Sequence, residues 1–426
     1  MTSRAVTLSS VLFATALSLA ATARTASANA FVINEHDAKA TGRADANTAT
    51  DDGPSSIVYN PGGVAIGTGT QFAIGGSLVL AHGGYTDPSG AKFDTDNSPA
   101  VLPQLYVTSR VHELVSVGIG FHTPFGLAIN WPDSAPTTDV IKTQSLRTYF
   151  ITPVVGVNLH KYVPGLSVGG GLDIVPATVE LTQYVFFGDP DSGGTRGQAH
   201  LGGSAIGFGG RIGAMYAPPS IPMLSIGAMW RSQVKESFTG TGDFDIAAPY
   251  RNQLPPDGDI KTSITLPQSV QLGVAVRPIP TLELELDGVW MNWSQFKNLE
   301  ITAPAMGGGT QTLVTPEDYK DTFTVRFGAE YKLPMQHAAV RAGYMYDPTP
   351  IQPDTLSAAL PDANRHVITV GGSYQINPDY GVHLGVLYVL PTSQDAASTP
   401  GMPTYKGSYE IQALVTSATL TGTIGK

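Results

Sequence analysis

The sequence predicts an all-β fold: a 14-stranded antiparallel transmembrane β-barrel with an N-terminal segment lodged in its lumen. Three observations carry that expectation. The 426 residues are rich in glycine (48) and proline (32), yet only 14% are charged, well below the roughly 25% usual in soluble domains. From residue 70 onward, apolar residues recur with period two, the spacing of a strand with two unlike faces. The N-terminus reads as an export signal, and after it no apolar run reaches the ~18 residues a spanning helix needs. An exported chain without spanning helices can cross a bilayer only as a closed barrel, because hydrocarbon leaves no other way to bond the backbone.

Residues 1–28 are expected to be a signal peptide. Arg4 supplies the positive start and VTLSSVLFATALSLAATA the apolar stretch. Ala26-Ser27-Ala28 and Ala28-Asn29-Ala30 are overlapping small-residue cleavage sites, so cleavage is expected after Ala28 or Ala30. Residues 29–69 are the only part that does not read as barrel wall. They include SSIVYNPGG (55–63), too apolar for a free tail and, with its Pro-Gly-Gly, wrong for a central strand. The lumen is the natural place for them.

Residues 70–426 read as wall. Leu282, Leu284 and Leu286 alternate with Glu283, Glu285 and Asp287, giving a greasy face and an acidic one. Phe323, Val325 and Phe327 alternate with Thr324, Arg326 and Gly328, and three further runs behave alike. Segments of this kind begin near 70, 101, 113, 145, 165, 204, 222, 262, 281, 321, 338, 365, 381 and 405. Connections alternate between short ones, such as Pro278-Ile279-Pro280 and Asn377-Pro378-Asp379, and long ones near 187–203, 238–261, 296–320 and 347–364. Short turns on one rim and long loops on the other fit an outer-membrane barrel. Tyr149, Phe150, Trp230, Trp290, Trp293 and Tyr388, near strand ends, are candidates for the interfacial aromatic girdles.

Several function classes are excluded or disfavoured. Without cysteine there is no disulfide framework, thiolate metal site or cysteine nucleophile. A net charge of −10 without basic runs argues against nucleic acid. No G-x-S-x-G, H-E-x-x-H or Ser/His/acid set stands out, so neither catalysis nor a cofactor or metal is expected. The expected surroundings are the lipid bilayer of a Gram-negative-type outer membrane, with the chain a monomer.

Specific residues then bring a family into view. Phe31-Val32-Ile33-Asn34-Glu35, Gly42-Arg43-Ala44, Asp51-Asp52 and Asn60-Pro61 resemble the start of the FadL family of outer-membrane transporters. The likeness continues through TPFGL (123–127), LSVGGGL (166–172), GFGGRIGAMY (207–216), WRSQVKESFTG (230–240), NWSQFKNLE (292–300), YKDTFTVRFGAEY (319–331) and LPDANRHVITVGGSY (360–374). The resemblance implies passive uptake of long-chain fatty acids or uncharged hydrophobic compounds. It implies a fourteen-stranded barrel, a hatch in the lumen, and a kink in the third strand through which ligand leaves sideways. A general porin or a surface receptor using the long loops is the alternative.

The resemblance also assigns residues. Asn60, Pro61 and Gly62 match the hatch signature, with Gly62 in place of alanine, and are expected to face the kink at Pro124, Phe125 and Gly126. Phe31 matches the N-terminal aromatic that dips into the family's pocket. Two basic residues are expected to hold a fatty-acid carboxylate, but the aligned positions here are Gln183 and Thr315. Either Arg196, Lys320 or Arg326 substitutes, or the ligand is uncharged, since an unpaired carboxylate in an apolar pocket is costly. Arg231, Lys235, Arg326 and Arg341 are expected to pair with Glu283, Glu285, Asp287 or Glu330 across the lumen. The chain departs from many outer-membrane barrels in ending Thr-Gly-Thr-Ile-Gly-Lys, without a terminal aromatic.

Overall fold

The structure is a computed structural model that describes residues 30–187, 195–334, 337–397 and 405–425. The expected signal peptide lies outside them. Fourteen antiparallel strands form the wall. They are β1 (Thr70–Thr86), β2 (Lys92–Asp94 and Ala100–His112), β3 (Val115–His122 and Gly126–Asn130) and β4 (Thr143–Thr148 and Phe150–Asn158). Next come β5 (Leu166–Phe187), β6 (Thr195–Tyr216), β7 (Leu224–Arg231 and Val234–Asp245) and β8 (Gly258–Leu266 and Ser269–Ile279). The remainder are β9 (Leu282–Met291 and Asn298–Pro304), β10 (Thr310–Pro316 and Thr322–Leu333), β11 (Ala338–Asp347), β12 (Arg365–Gln375), β13 (Tyr380–Ala396) and β14 (Gly407–Ile424). The last strand closes on the first, from Thr70↔Ile424 to Thr86↔Ser408, so the sheet keeps no edge.

Every expected strand start finds its strand and the 347–364 loop keeps its expected length, but the other three long connections are shorter than the spacing suggested. β5 and β6 run 22 residues each, and the 296–320 connection is largely a hairpin. The reason is visible in Thr310–Pro316, where six of seven residues are exposed. Beyond the bilayer both faces of a strand are wet, so the ladder continues while the hydropathy alternation vanishes.

Within the bilayer the alternation sorts as expected. On β9, Glu285 and Asp287 point inward and are buried to 1% and 0% exposure, whereas Leu286 is 54% exposed toward lipid. A barrel is thus polar inside and apolar outside. The girdle expectation needs two corrections. Trp230 faces outward, but Phe150 and Trp293 are fully buried in the lumen. Both belong to one apolar cluster in the upper half, with Phe31, Phe125, Leu127, Trp131 and Phe296.

The N-terminal segment fills the lower lumen. It contains α1 (Ala38–Thr41), α2 (Ser56–Tyr59) and a 3-10 turn, Pro61–Ala65. Asp37 caps α1, its Oδ1 accepting from Lys39 N at 2.7 Å and Ala40 N at 3.3 Å. No described helix is long and apolar enough to cross a membrane.

The outward face of β9 gives a direct check. Leu286→Arg should destabilise the barrel by about 2–4 kcal/mol in reversible unfolding from lipid vesicles, the depth-dependent cost of a cation on the lipid face. A change indistinguishable from Leu286→Ala would mean this face does not meet hydrocarbon.

Candidate functional site: a lumenal segment and a break in the wall

The acidic face of β9 grips the N-terminal segment. Arg43 donates through Nη1 to Glu283 Oε1 at 2.7 Å and through Nη2 to Glu285 Oε2 at 3.1 Å. Asp287 Oδ2 accepts from Asn47 N at 2.9 Å, Thr48 N at 3.0 Å and Thr48 Oγ1 at 2.7 Å. Glu285 also accepts from Ala49 N at 2.6 Å and from the Thr50 hydroxyl. Three carboxylates at alternate positions on one strand therefore bond residues 43–50, and the buried charges are offset by partners rather than by water.

Asn60 holds the turn to a different strand from the expected one. Its Nδ2 donates to Thr48 O at 2.8 Å and to Ala214 O of β6 at 3.0 Å, while its Oδ1 accepts from Gly62 N at 3.0 Å. The approach to the wall depends on glycine. A Cβ at Gly213 would sit 2.2 Å from Asn60 Oδ1, and one at Gly169 would sit 2.0 Å from Pro61 O. Asn60, Pro61 and Gly62 thus pack on β5 and β6, not on the kink of β3.

Residues 31–33 meet the kink instead. The β2–β3 ladder stops at Leu105↔Phe121. Above it, Ala100–Gln104 of β2 stay paired with β1, and Gly126–Asn130 of β3 stay paired with β4. Between them Ile33 N donates to Pro124 O at 2.9 Å, Gly126 N donates to Phe31 O at 2.9 Å, and Val32 forms a bridge with Phe125. The N-terminus occupies the place of the missing strand partner. The gap is closed at its top, where Asp96 N donates to Asn130 O at 2.7 Å. Between these closures lies a cavity of about 510 Å³. It touches Val32, Leu102, Pro103 and Phe125 at the break and reaches inward-facing Val389 and Val415 on β13 and β14.

Phe31, one of the expected ligand contacts, lies within the apolar cluster. It is 4% exposed and lies edge-on to Trp293, ring centroids 5.0 Å apart, with Phe125 at 6.1 Å and Phe296 at 6.3 Å. The other expected contacts sit elsewhere. Gln183 and Thr315 are exposed on the upper parts of β5 and β10, and Lys320 is exposed and bonded to Gln352. Arg326 is buried but occupied, donating to Asn34 Oδ1 at 2.7 Å and Asp45 O at 3.3 Å. Arg196 is also exposed, over the Tyr184 ring. Of the expected ion pairs only Arg341–Glu330, at 2.7 Å, forms as paired. Lys235 faces outward. Arg231 lies with its guanidinium carbon 4.8 Å from the Phe125 ring centroid and has no ion pair among the described residues.

Sequence reasoning missed the Arg211–Asp173 pair, 2.7 Å apart and fully buried, with Arg211 Nη1 donating to Ile57 O at 3.0 Å. Its signal was parity, since both residues fall on the inward register of their strands. Burial also sets the charge states of the segment. It pushes the Asp51 carboxyl up to about 7, against the pull of Lys39. It drives His36 down to about 3, aided by Arg231 and Arg211, so His36 is neutral.

Comparison with known proteins bears on this geometry. A family model described as "Outer membrane protein transport protein (OMPP1/FadL/TodX)" matches residues 19–423. The long-chain fatty acid transport protein of Salmonella typhi is 25% identical over 386 residues, covering 84% of this chain and 87% of that one. Outer membrane protein P1 of Haemophilus influenzae is 25% identical over 426 residues, covering 89% of each. Among solved structures, a Pseudomonas aeruginosa FadL homologue superposes with a TM-score of 0.80 at 16% identity, covering 93% of this chain and 100% of that one. The Pseudomonas putida toluene transporter TodX gives 0.74 at 18%, with 93% and 100% covered. Members of the family are transport proteins and channels, not enzymes.

Two outcomes follow for the segment. Asp287→Ala leaves three donors of residues 47 and 48 without their acceptor, so it should cost about 1–3 kcal/mol and speed amide exchange at Asn47 and Thr48. Unchanged exchange there would show that β9 does not hold the segment. The raised Asp51 means that the folded chain keeps a proton which the unfolded chain, at its ordinary 3.8, has released. Stability should therefore fall as pH rises from about 4 to about 7. Asp51→Asn should flatten that fall in thermal melts, and an identical pH profile would contradict the assignment.

Proposed function

We propose that this chain, which belongs to the outer membrane protein transport family (OMPP1/FadL/TodX), takes up hydrophobic molecules passively through the outer membrane. Ligand enters the apolar upper lumen from the loop side. It leaves sideways through the break between β2 and β3, and the N-terminal segment, 29–69, acts as the hatch. The observation that carries this reading is the cavity of about 510 Å³, which joins inward-facing Val389 and Val415 to Leu102 and Pro103 at the break.

The physical logic is one of compensation. A strand facing hydrocarbon cannot leave N–H and C=O groups unbonded. Phe31–Ile33 bond the backbone of Pro124 and Gly126 while the opening is shut. Their withdrawal exposes those groups but also vacates the space beside Phe125, where a ligand can replace the apolar contacts. Phe31 leaving Trp293 and Phe296 opens the aromatic chamber at the same moment. The lumen is filled below by residues bonded to β9, an arrangement that favours an occluded transporter over an open porin. Relatives described as fatty-acid and toluene transporters support the ligand class.

The test uses a cross-link between N-terminus and wall. In cells expressing Val32→Cys with Phe125→Cys, oxidation should reduce uptake of radiolabelled palmitate to the level of cells lacking the protein, and reduction should restore it. The chain has no native cysteine to confuse the result. Full uptake by the completely cross-linked protein would refute a hatch at residues 31–33.

A further inference from the structure

The ladder of the wall lapses elsewhere as well, and one of these places is plugged in an unusual way. Between β8 and β9 the ladder lapses where the turn Trp293–Gln295 buries Trp293 completely. Between β6 and β7 it runs as far as Arg231↔Arg211 and resumes at Thr239↔Ser204. Ser232 ends the lower part, its N donating to Gly210 O at 2.8 Å and its Oγ accepting from Gly210 N at 2.9 Å. Above that, no ladder pair joins Ala205–Gly209 to Val234–Phe238. Each stretch stays bonded to its other neighbour: Ala205–Gly209 to β5, and Val234–Phe238 to β8. The result is a slit between two intact sheets.

Val234 and Glu236 wedge the slit. A Cβ at Gly207 would sit 2.4 Å from Glu236 Oε1 and 2.5 Å from Val234 Cγ1, and one at Gly209 would sit 2.7 Å from Val234 Cγ2. The two side chains thus lie directly on glycine backbone. Glu236 is 0% exposed, and neither carboxyl oxygen has a hydrogen-bond partner among the described residues. A leucine would fill the space without the desolvation cost that an unpartnered carboxyl carries. On the outer face lies a depression of about 500 Å³, touching Tyr149, Thr178, Ile206 and Ser237, with Ala177 and Ala205 at its floor. Those two alanines, with Val234 and Phe238, belong to the same lumenal apolar cluster as Phe31 and Phe125. Ile206 and Phe208, 64% and 70% exposed, turn the outer rim of the slit toward lipid.

From the β6–β7 slit, its glycine-seated wedge and the outer depression, we infer a second lateral opening, closed by Val234 and Glu236, that passes uncharged apolar molecules between lumen and bilayer. The inference rests on the transport reading above. Closure buries Val234 but strands the Glu236 carboxyl without partners, so apolar burial favours the shut slit while the unmet hydrogen bonds oppose it. The ligand class follows from charge. Ala177, Ala205, Val234 and Phe238 offer an anionic head group no pairing cation, whereas a hydrocarbon needs none.

The experiment compares radiolabelled hexadecane with palmitate in cells expressing the full chain. Ile206→Cys with Ser237→Cys, joined by a short bifunctional thiol reagent, spans the slit at exposed positions, and Val32→Cys with Phe125→Cys closes the β2–β3 break. Linking 32 to 125 should abolish palmitate uptake but leave hexadecane uptake above background. Adding the 206–237 link should remove the remainder, and that link alone should leave palmitate uptake unchanged. Hexadecane uptake abolished by the 32–125 link alone, or unchanged when the 206–237 link is added to it, overturns the second opening and leaves the transport reading standing. Uptake of neither compound by the unmodified protein overturns both.

Discussion

Hydrocarbon offers no hydrogen bonds, so a wall that faces it must either continue its ladder or fill each break from within. The rest of this structure follows from that constraint. Closure of β14 on β1 removes the edges, and the interior becomes the only place where charged side chains can gather. Where β3 parts from β2, the chain's own N-terminus supplies the missing partner through Ile33 and Phe31. A plain strand would seal the wall permanently. In the function proposed above, a detachable segment seals it reversibly, which would convert a structural necessity into a gate.

The same constraint divides the lumen into two levels. Below, Glu283, Glu285 and Asp287 meet Arg43 and the backbone of residues 47–49, a polar floor that fixes the N-terminal segment. Above, Phe31, Phe125, Phe150, Trp293 and Phe296 make an apolar chamber. Residues 31–33 link the two, lying in the apolar chamber and leading into the anchored segment. Firm attachment at residues 43–50 is what the proposed gate requires, since it leaves the residues at the break to move without emptying the barrel.

Much of this was legible in the sequence, and the limits have physical causes. Period-two alternation exposed the strands and assigned the faces of runs such as Leu282–Asp287, because lipid and lumen impose opposite chemistry on neighbouring residues, while Lys235, Phe150 and Trp293 were placed on the wrong side. It failed above the bilayer, where Thr310–Pro316 is wet on both faces and the strand leaves no hydropathy trace. The kink at Pro124–Gly126 was legible through the family resemblance, supported by a proline that cannot donate to a ladder and a glycine that permits a bend. Its partner was not. Asn60 and Val32 are both in the lumenal segment, and only the three-dimensional path decides that Asn60 reaches Ala214 while Val32 reaches Phe125. Gln183, Thr315 and Lys320 were located by counting along strands whose upper extensions the pattern could not show, and they prove to be exposed. Arg326 was rightly placed inside but is occupied with Asn34 and Asp45, a contact across nearly three hundred residues that local sequence does not encode.

The central claim is that the residues beside the break move when ligand passes. The most direct measurement is the distance distribution between spin labels at Ile33→Cys and Ala128→Cys, recorded by pulsed electron resonance on the full chain in lipid bilayers. Adding hexadecane or palmitate should produce a second, longer-distance population at the expense of the first. A single unchanged distribution, in a preparation that demonstrably transports the added compound, would contradict the account.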